Sequence, residues 1–254
     1  MRIEQMTVKY QEEIAERVYE LILEGEMVAE MMAGQFINIK PTRKDLMLRR
    51  PISLAKIDQD KQQCTIIYRV DGDGTQTFAD ATVGDVLDVI GPLGKGFPVD
   101  ETLAGETAML IGGGIGVPPL YEVARQLKAA GANVVTVLGF NSKEAVFYEA
   151  EFAALGDVHI ATADGSHGTH GFVTTIMDTL PEADTYYSCG PTPMLRALNE
   201  RLIDKRAFIS LEERMACGIG ACYACVCHPT TGEETASKKI CVDGPVFRTG
   251  EVQV

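Results

Sequence analysis

Along the first hundred residues apolar and polar positions alternate in short runs broken by Gly, Pro and Asp. Examples are "QFINIK" (35–40), "CTIIYRV" (64–70) and "DVLDVIG" (85–91). A period of two marks strands with one buried face, and the frequent breakers mark tight connections, so this stretch predicts an antiparallel barrel or sandwich. One segment conflicts: "EEIAERVYELILEGEMVAEMM" (12–32) is rich in helix formers and reads as helical on composition alone.

Residues 101–209 change style. "TAMLIGGG" (107–114) is a continuous apolar run ending in glycines. "PPLYEVARQLKAAG" (118–131) has Pro in its first turn, Leu120, Val123 and Leu127 on one face, and Gly131 as a stop, which predicts a helix. "NVVTVLGF" (133–140), "DVHIATAD" (157–164) and "DTYYSCG" (184–190) continue the strands between helical stretches. That alternation predicts βαβ units and a doubly wound parallel sheet. Residues 210–254 are cysteine-rich, with short runs such as "KKICVDGPVF" (238–247). The expected architecture is a multidomain α+β and α/β chain: a β-barrel over 1–100, an α/β domain over 101–209 and a small appended module over 210–254.

Charge and composition narrow the partners. The chain has 254 residues and a formal net charge of −13. Such a surface repels a phosphate backbone, so no nucleic-acid partner is expected. No apolar run reaches the roughly 18–20 residues that span a bilayer, and "MRIEQMTVKY" has no signal-peptide apolar core, so no membrane partner and a cytosolic location are expected. Disulfides are rare there, and seven cysteines cannot all pair internally.

"GGGIGVPP" (112–119) falls between a predicted strand and a predicted helix. Glycines permit a sharp turn and close approach of a ligand, and the helix N-terminus offers free N–H groups to a pyrophosphate. The same pattern without a ligand is simply a tight turn. In "ACGIGACYACVC" (216–227) the spacing is Cys217-x4-Cys222-x2-Cys225, then Cys241 after fifteen intervening residues. Zinc sites pair two short Cys knuckles, or one knuckle with a His pair; here there is one knuckle and a single nearby His228. The order C-x4-C-x2-C…C is that of plant-type [2Fe–2S] proteins. Gly218, Gly220, Ala221 and Ala224 keep the backbone close, so its N–H groups can bond the sulfurs. Ligation through both Cys225 and Cys227, one residue apart, would strain the chain. The expected ligands are therefore Cys217, Cys222, Cys225 and Cys241, with Cys227 packed nearby as a non-ligand and Cys64 a small core residue.

Gly114-x-Gly116-x-x-Pro119 lacks the third glycine of the Rossmann fingerprint and resembles the ferredoxin–NADP reductase superfamily. "RRPISL" (49–54) is similar to that superfamily's flavin signature. The resemblance implies FAD held by Arg50, Pro51, Ile52 and Ser53, with Arg50 at the pyrophosphate and Ser53 near the reactive edge of the ring. "IYRVDGDGT" (67–75) resembles the second flavin segment, placing Ile67, Tyr68 and Arg69 along the cofactor and Gly74 and Thr75 at phosphate through backbone and hydroxyl. For NAD it implies Gly113, Gly114, Gly116 and Pro119, and the turn Cys189-Gly190-Pro191 on the nicotinamide side.

Over essentially its whole length the chain resembles the electron-transfer subunits of NAD-dependent (class B) dihydroorotate dehydrogenases. The resemblance runs from "RRPISL" and "YRVDGDGT" through "GPLGKGF" (91–97), "GFNSKE" (139–144), "DGSHGTHGFVT" (164–174) and "YSCGPTPML" (187–195) to "EERMACGIGACYACVC" (212–227). It implies that the 12–32 segment is barrel strand against its propensity. It also implies an FMN-containing catalytic partner subunit, a heterotetramer with two subunits of each kind, and electrons passing through [2Fe–2S] and FAD to NAD+. NAD rather than NADP rests on this resemblance, since Lys143 lies near where a 2′-phosphate would sit. His159, His167, His170 and His228 show no carboxylate pairing in the sequence and are expected at the surface. Two alternatives remain. One is a sister FAD/[2Fe–2S] reductase serving another partner, of the ferredoxin:NADP oxidoreductase, sulfite reductase or hydrogenase type. The other is a colourless, zinc-stabilised nucleotide-binding regulator.

Overall fold

Six antiparallel strands close the N-terminal barrel: β1 (Arg2–Ala15), β2 (Val18–Glu24), β3 (Phe36–Ile39), β4 (Arg50–Asp58), β5 (Gln63–Arg69) and β6 (Val86–Leu93), in the order β1-β2-β5-β4-β3-β6. The computed structural model describes residues 1–232 and 236–254. A short helix, α1 (Asp73–Ala79), follows β5. The contested 12–32 segment forms the end of β1, all of β2 and a 3-10 turn at Glu26–Glu30. Barrel closure overrides local helix propensity because Leu21 and Leu23 fill the interior. Helical character survives only past Gly25, where the chain has left the sheet.

The second sheet has seven strands. In chain order its elements are β7 (Thr107–Gly113), α2 (Pro118–Ala129), β8 (Asn133–Phe140), α3 (Glu149–Ala153), β9 (Asp157–Thr162), β10 (Thr169–His170), α4 (Val173–Met177), β11 (Thr185–Cys189), α5 (Thr192–Arg201) and β12 (Ala207–Ser210). The strands from β10 to β12 pair in parallel in the order β10-β9-β8-β7-β11-β12. Strand order reverses about β7, so the turns after β7 and β11 open the crevice that such sheets use for ligands. Beyond β12 come a two-stranded ribbon, β13 (Val226–Cys227) with β14 (Lys238–Lys239), and a last strand, β15 (Val246–Arg248). β15 returns to the seven-stranded sheet and pairs antiparallel with β12. Among the described residues no helix is long and apolar enough to cross a membrane.

Helix α2 joins the two large units. Its apolar face, including Leu120, Val123 and Leu127, is fully buried, while Glu122 on the same helix is only 4% exposed. The Glu122 carboxylate accepts the backbone N–H of Ile57 in β4 at 3.0 Å and the Arg125 guanidinium at 2.5 Å. Glu122→Ala would strand both donors, one in the barrel and one on the helix. We expect a loss of about 2–4 kcal/mol, read as a lower urea midpoint, with Glu122→Gln retaining part of it. A second bond between the units runs from the Tyr148 hydroxyl to Glu20 of β2.

Candidate functional site

A cleft of about 940 Å³ opens between the barrel and the C-terminal edge of the parallel sheet. Gly113 ends β7, residues 114–116 form one 3-10 turn, and Pro118 and Pro119 open α2. Gly114 has φ +51°, a left-handed conformation that suits glycine, and a Cβ there would meet nothing within 4 Å. Gly116 is the reverse case: a Cβ would fall 2.5 Å from the backbone nitrogen of Gly190. The turns after β7 and β11 are therefore in backbone contact, and Gly113, Gly114, Gly116, Gly190 and Pro191 share one wall of the cleft.

The other two residues predicted for NAD lie behind that wall. Pro119 is buried in the first turn of α2. Cys189 is 8% exposed and packs in the core, where burial first, and the Glu212 charge second, push its thiol up to about 12. Sequence reading missed Phe140, Phe147 and Glu212, which also line the cleft. Phe140 was recoverable, since it ends a strand on the side where such sheets bind ligands. Glu212 stays exposed at the cleft rim, where partial desolvation raises its carboxyl above the usual range against the pull of Arg69.

On the barrel side the two arginines of "RRPISL" divide their tasks. Arg49 is used internally, bonded to the Asp88 carboxylate at 2.5 Å and to the Asp88 carbonyl at 2.8 Å. Arg50 has no carboxylate partner among the described residues; it donates to the Leu48 carbonyl at 2.6 Å and lies directly over Gly74, where any Cβ would overlap its guanidinium. A cation without a counter-charge beside the first turn of α1 suits an anionic pyrophosphate. Thr75 sits in that turn. Its hydroxyl accepts the Asp71 N–H and gives its one proton to the Gly72 carbonyl, both at 3.1 Å.

The resemblance placed Ile67, Tyr68 and Arg69 together along the cofactor, but β5 separates them by its alternation. Cys64, Ile66 and Tyr68 point into the barrel, whereas Ile67 packs toward the other unit and Arg69 lines the cleft. The Tyr68 ring is 1% exposed, stacked on Tyr19 at 5.9 Å and edge-on to Phe78. Pro51, Ile52 and Ser53 are half-buried on β4, with Ser53 opposite Phe36 of β3. Cys64 is a core thiol, as expected, raised to about 12 by burial.

The cysteine loop follows β12. Gly218 and Gly220 have φ of +68° and +82° and curl it tightly. The thiols fall as two pairs. The Cys222 N–H donates to Cys217 Sγ at 3.3 Å, and Cys241 packs in the same buried group as Cys225, each of these two being 1% exposed. Burial opposes ionisation of Cys217, but the backbone N–H groups of Ile219, Ala221 and Cys222 outweigh it and lower the thiol to about 7. Among the described residues no three His, Cys, Asp or Glu side chains converge on a single-ion site. Two thiol pairs suit a cluster of two irons, where four thiolates are shared between the metals. Lys239 clamps the loop, donating to the Gly220 carbonyl at 2.6 Å and lying 4.5 Å over the Tyr223 ring. Cys227 instead lines a second cavity of about 180 Å³ beside Gly190 and Pro191.

One expectation about histidine is corrected. His167 does meet a carboxylate, with Nε2 2.8 Å from Glu149 Oε2 and the side chain partly buried. The partners are eighteen residues apart and are joined only by the β9–β10 turn folding back on α3, so no local spacing announces them. His159 is likewise half-buried, whereas His170 and His228 are exposed.

Comparison with known proteins bears directly on these features. Residues 110–200 match the oxidoreductase NAD-binding domain, and residues 212–253 match the iron–sulfur cluster binding domain of dihydroorotate dehydrogenase B. A solved NADH-dependent reduced ferredoxin–NADP oxidoreductase, studied for flavin-based electron bifurcation, superposes with TM-score 0.85 at 29% identity, covering 98% of this chain and 90% of that one. The dihydroorotate dehydrogenase B (NAD(+)) electron transfer subunit of Bacillus caldolyticus is 58% identical over 252 residues, 98% of each chain. Its counterpart in Listeria monocytogenes serotype 4a is 53% identical over 251 residues, again 98% of each. With a matched cluster module, a matched nucleotide domain and end-to-end identity above one half, the chain belongs to the family of dihydroorotate dehydrogenase B (NAD(+)) electron transfer subunits.

Proposed function

We propose that this chain is the NAD-reducing half of a dihydroorotate dehydrogenase of pyrimidine biosynthesis. It takes electrons from an FMN-bearing catalytic subunit and delivers them to NAD+, holding a [2Fe–2S] cluster and FAD in between. The observation that carries the reading is the loop of two thiol pairs, packed at Gly218 against β3, the strand next to the flavin signature of β4. When bound, the cluster handles single electrons and the flavin gathers two of them into the hydride that NAD+ requires.

The chain's own residues do the rest. Residues 1–100 hold FAD: the Arg50 guanidinium and the backbone N–H groups of Gly74 and Thr75 take the pyrophosphate, while Pro51, Ile52, Ser53, Ile67, Arg69 and the Tyr68 backbone flank the remainder. Residues 101–209 take NAD+ across the wall of Gly113, Gly114, Gly116, Gly190 and Pro191, with Pro119 and Cys189 supporting it from behind. Residues 210–254 hold the cluster through Cys217, Cys222, Cys225 and Cys241. The assembly is a heterotetramer with two subunits of each kind, and the seven free thiols suit a reducing cytoplasm.

Co-expression with the FMN subunit tests this. The expected product is a yellow-brown complex of two plus two subunits that reduces NAD+ with dihydroorotate and is bleached by NADH without oxygen. A colourless chain, or one that ignores the FMN subunit and couples to another redox partner, defeats the reading.

A further inference from the structure

Strand β3 reads Phe36-Ile37-Asn38-Ile39. Ile37 and Ile39 are fully buried in the barrel core. Phe36 points the other way and joins Cys225 and Cys241 in one apolar group. Asn38 shares the Phe36 face by alternation, so its side chain looks out of the barrel toward the cysteine module. It is 1% exposed, yet neither its amide nitrogen nor its amide oxygen has a hydrogen-bond partner among the described residues. The nitrogen abuts Gly218, so closely that a Cβ on that glycine would overlap it. Gly218 directly follows Cys217. Across the sheet Asn38 sits opposite Pro51 of the flavin signature.

An unpaired buried amide costs about 1–3 kcal/mol, so a polar group in this position calls for an acceptor. The acceptor chemistry next along the chain is sulfur: Cys217 immediately precedes Gly218, and its thiolate would bring with it whatever sulfide it helps to hold. Sulfur bound to iron accepts N–H bonds, and such bonds favour the more negative, reduced state of a cluster. Asn38 brings a neutral donor. A carboxylate there would act in the opposite sense.

We propose that Asn38 donates its side-chain N–H to sulfur on the Cys217 side of the cluster and raises its reduction potential, so that β3 tunes the relay from the barrel side. The proposal rests on the cluster assignment above. The test is a redox titration of the full FAD-loaded chain followed by electron paramagnetic resonance, for the unmodified protein, Asn38→Leu and Asn38→Asp. Asn38→Leu is expected to hold FAD and cluster but to shift the oxidised-to-reduced ratio at the unmodified protein's midpoint about tenfold toward oxidised, a fall of about 59 mV for one electron. Asn38→Asp should fall further. NADH oxidation with an artificial acceptor serves as the folding control and should be unchanged. A cluster with unaltered midpoint and g-values in either variant overturns the proposal. So does loss of the cluster from both variants with FAD retained, which would make Asn38 a structural residue of the loop. Absence of a [2Fe–2S] signal from the unmodified chain would defeat the cluster assignment instead.

Discussion

Cys217→Ser abolishes dihydroorotate-dependent NAD+ reduction and leaves NADH oxidation by an artificial acceptor almost intact. That is the expected result with the largest effect, and its value lies in the split between the two assays. Cys217 is half-exposed, and its sulfur takes a backbone N–H within its own loop, so the change should not disturb either large sheet. Loss of an outer-shell partner of a metal ligand costs about 10–100-fold, and loss of the ligand itself should cost at least roughly 100-fold in the complete electron path. The proposed hydride step uses the cleft, whose glycine wall lies on other elements. The checks are iron content, the visible spectrum and both assays on one preparation. Equal loss in the two assays would mean that the loop supports the nucleotide domain structurally and is not a relay.

Gly116→Val is expected to produce the mirror image, with cluster and FAD retained and NADH oxidation lost. The added side chain must enter the 2.5 Å gap to the Gly190 backbone, and no flexible side chain is available to give way. The turns after β7 and β11 would separate, displacing the wall proposed to seat the nicotinamide. A displacement near 1 Å at a reacting centre costs about 100-fold, and that is the expected fall in kcat/KM for NADH. Gly114→Ala makes the informative contrast. Its Cβ meets open space and the cost is the left-handed backbone alone, about 1 kcal/mol, so it should reduce stability more than turnover. If Gly114→Ala proved the more damaging for NADH, the close contact at Gly116 would not be what shapes the site.

Much of the fold was legible because each unit follows its own period. The alternating runs of the first hundred residues became barrel strands, and the buried runs ending in glycine became the parallel sheet. What could not be read was how the units cover one another. Alternation along "QFINIK" puts Phe36, Asn38 and Lys40 on the face away from Ile37 and Ile39, yet Phe36 and Asn38 are buried because the cysteine module covers that face. The same logic explains Tyr68: its neighbours in sequence suggested a cofactor contact, while the pleat sends its ring into the barrel. Pro119 and Cys189 belong to the turns that form the cleft wall but face inward, since a motif fixes a turn without fixing which of its side chains reaches the cleft. The tight loop between the cysteines was legible from its small residues, and Gly218 and Gly220 take the left-handed conformations that curl it. The His167–Glu149 contact lay at the other extreme, formed only when distant turns meet.

β15 gives the cysteine module a second anchorage. The chain leaves the parallel sheet at β12, forms the loop and ribbon, and returns to the same edge beside the strand it left. A segment fastened at both ends to one sheet behaves as a fixed span, not as a ferry swinging on a hinge. Hopping distances on its two sides are then set at folding and do not depend on diffusion of a mobile arm. Intramolecular electron passage in this subunit should accordingly be insensitive to added glycerol or sucrose, whereas encounter with NAD+ will slow in proportion to solvent viscosity.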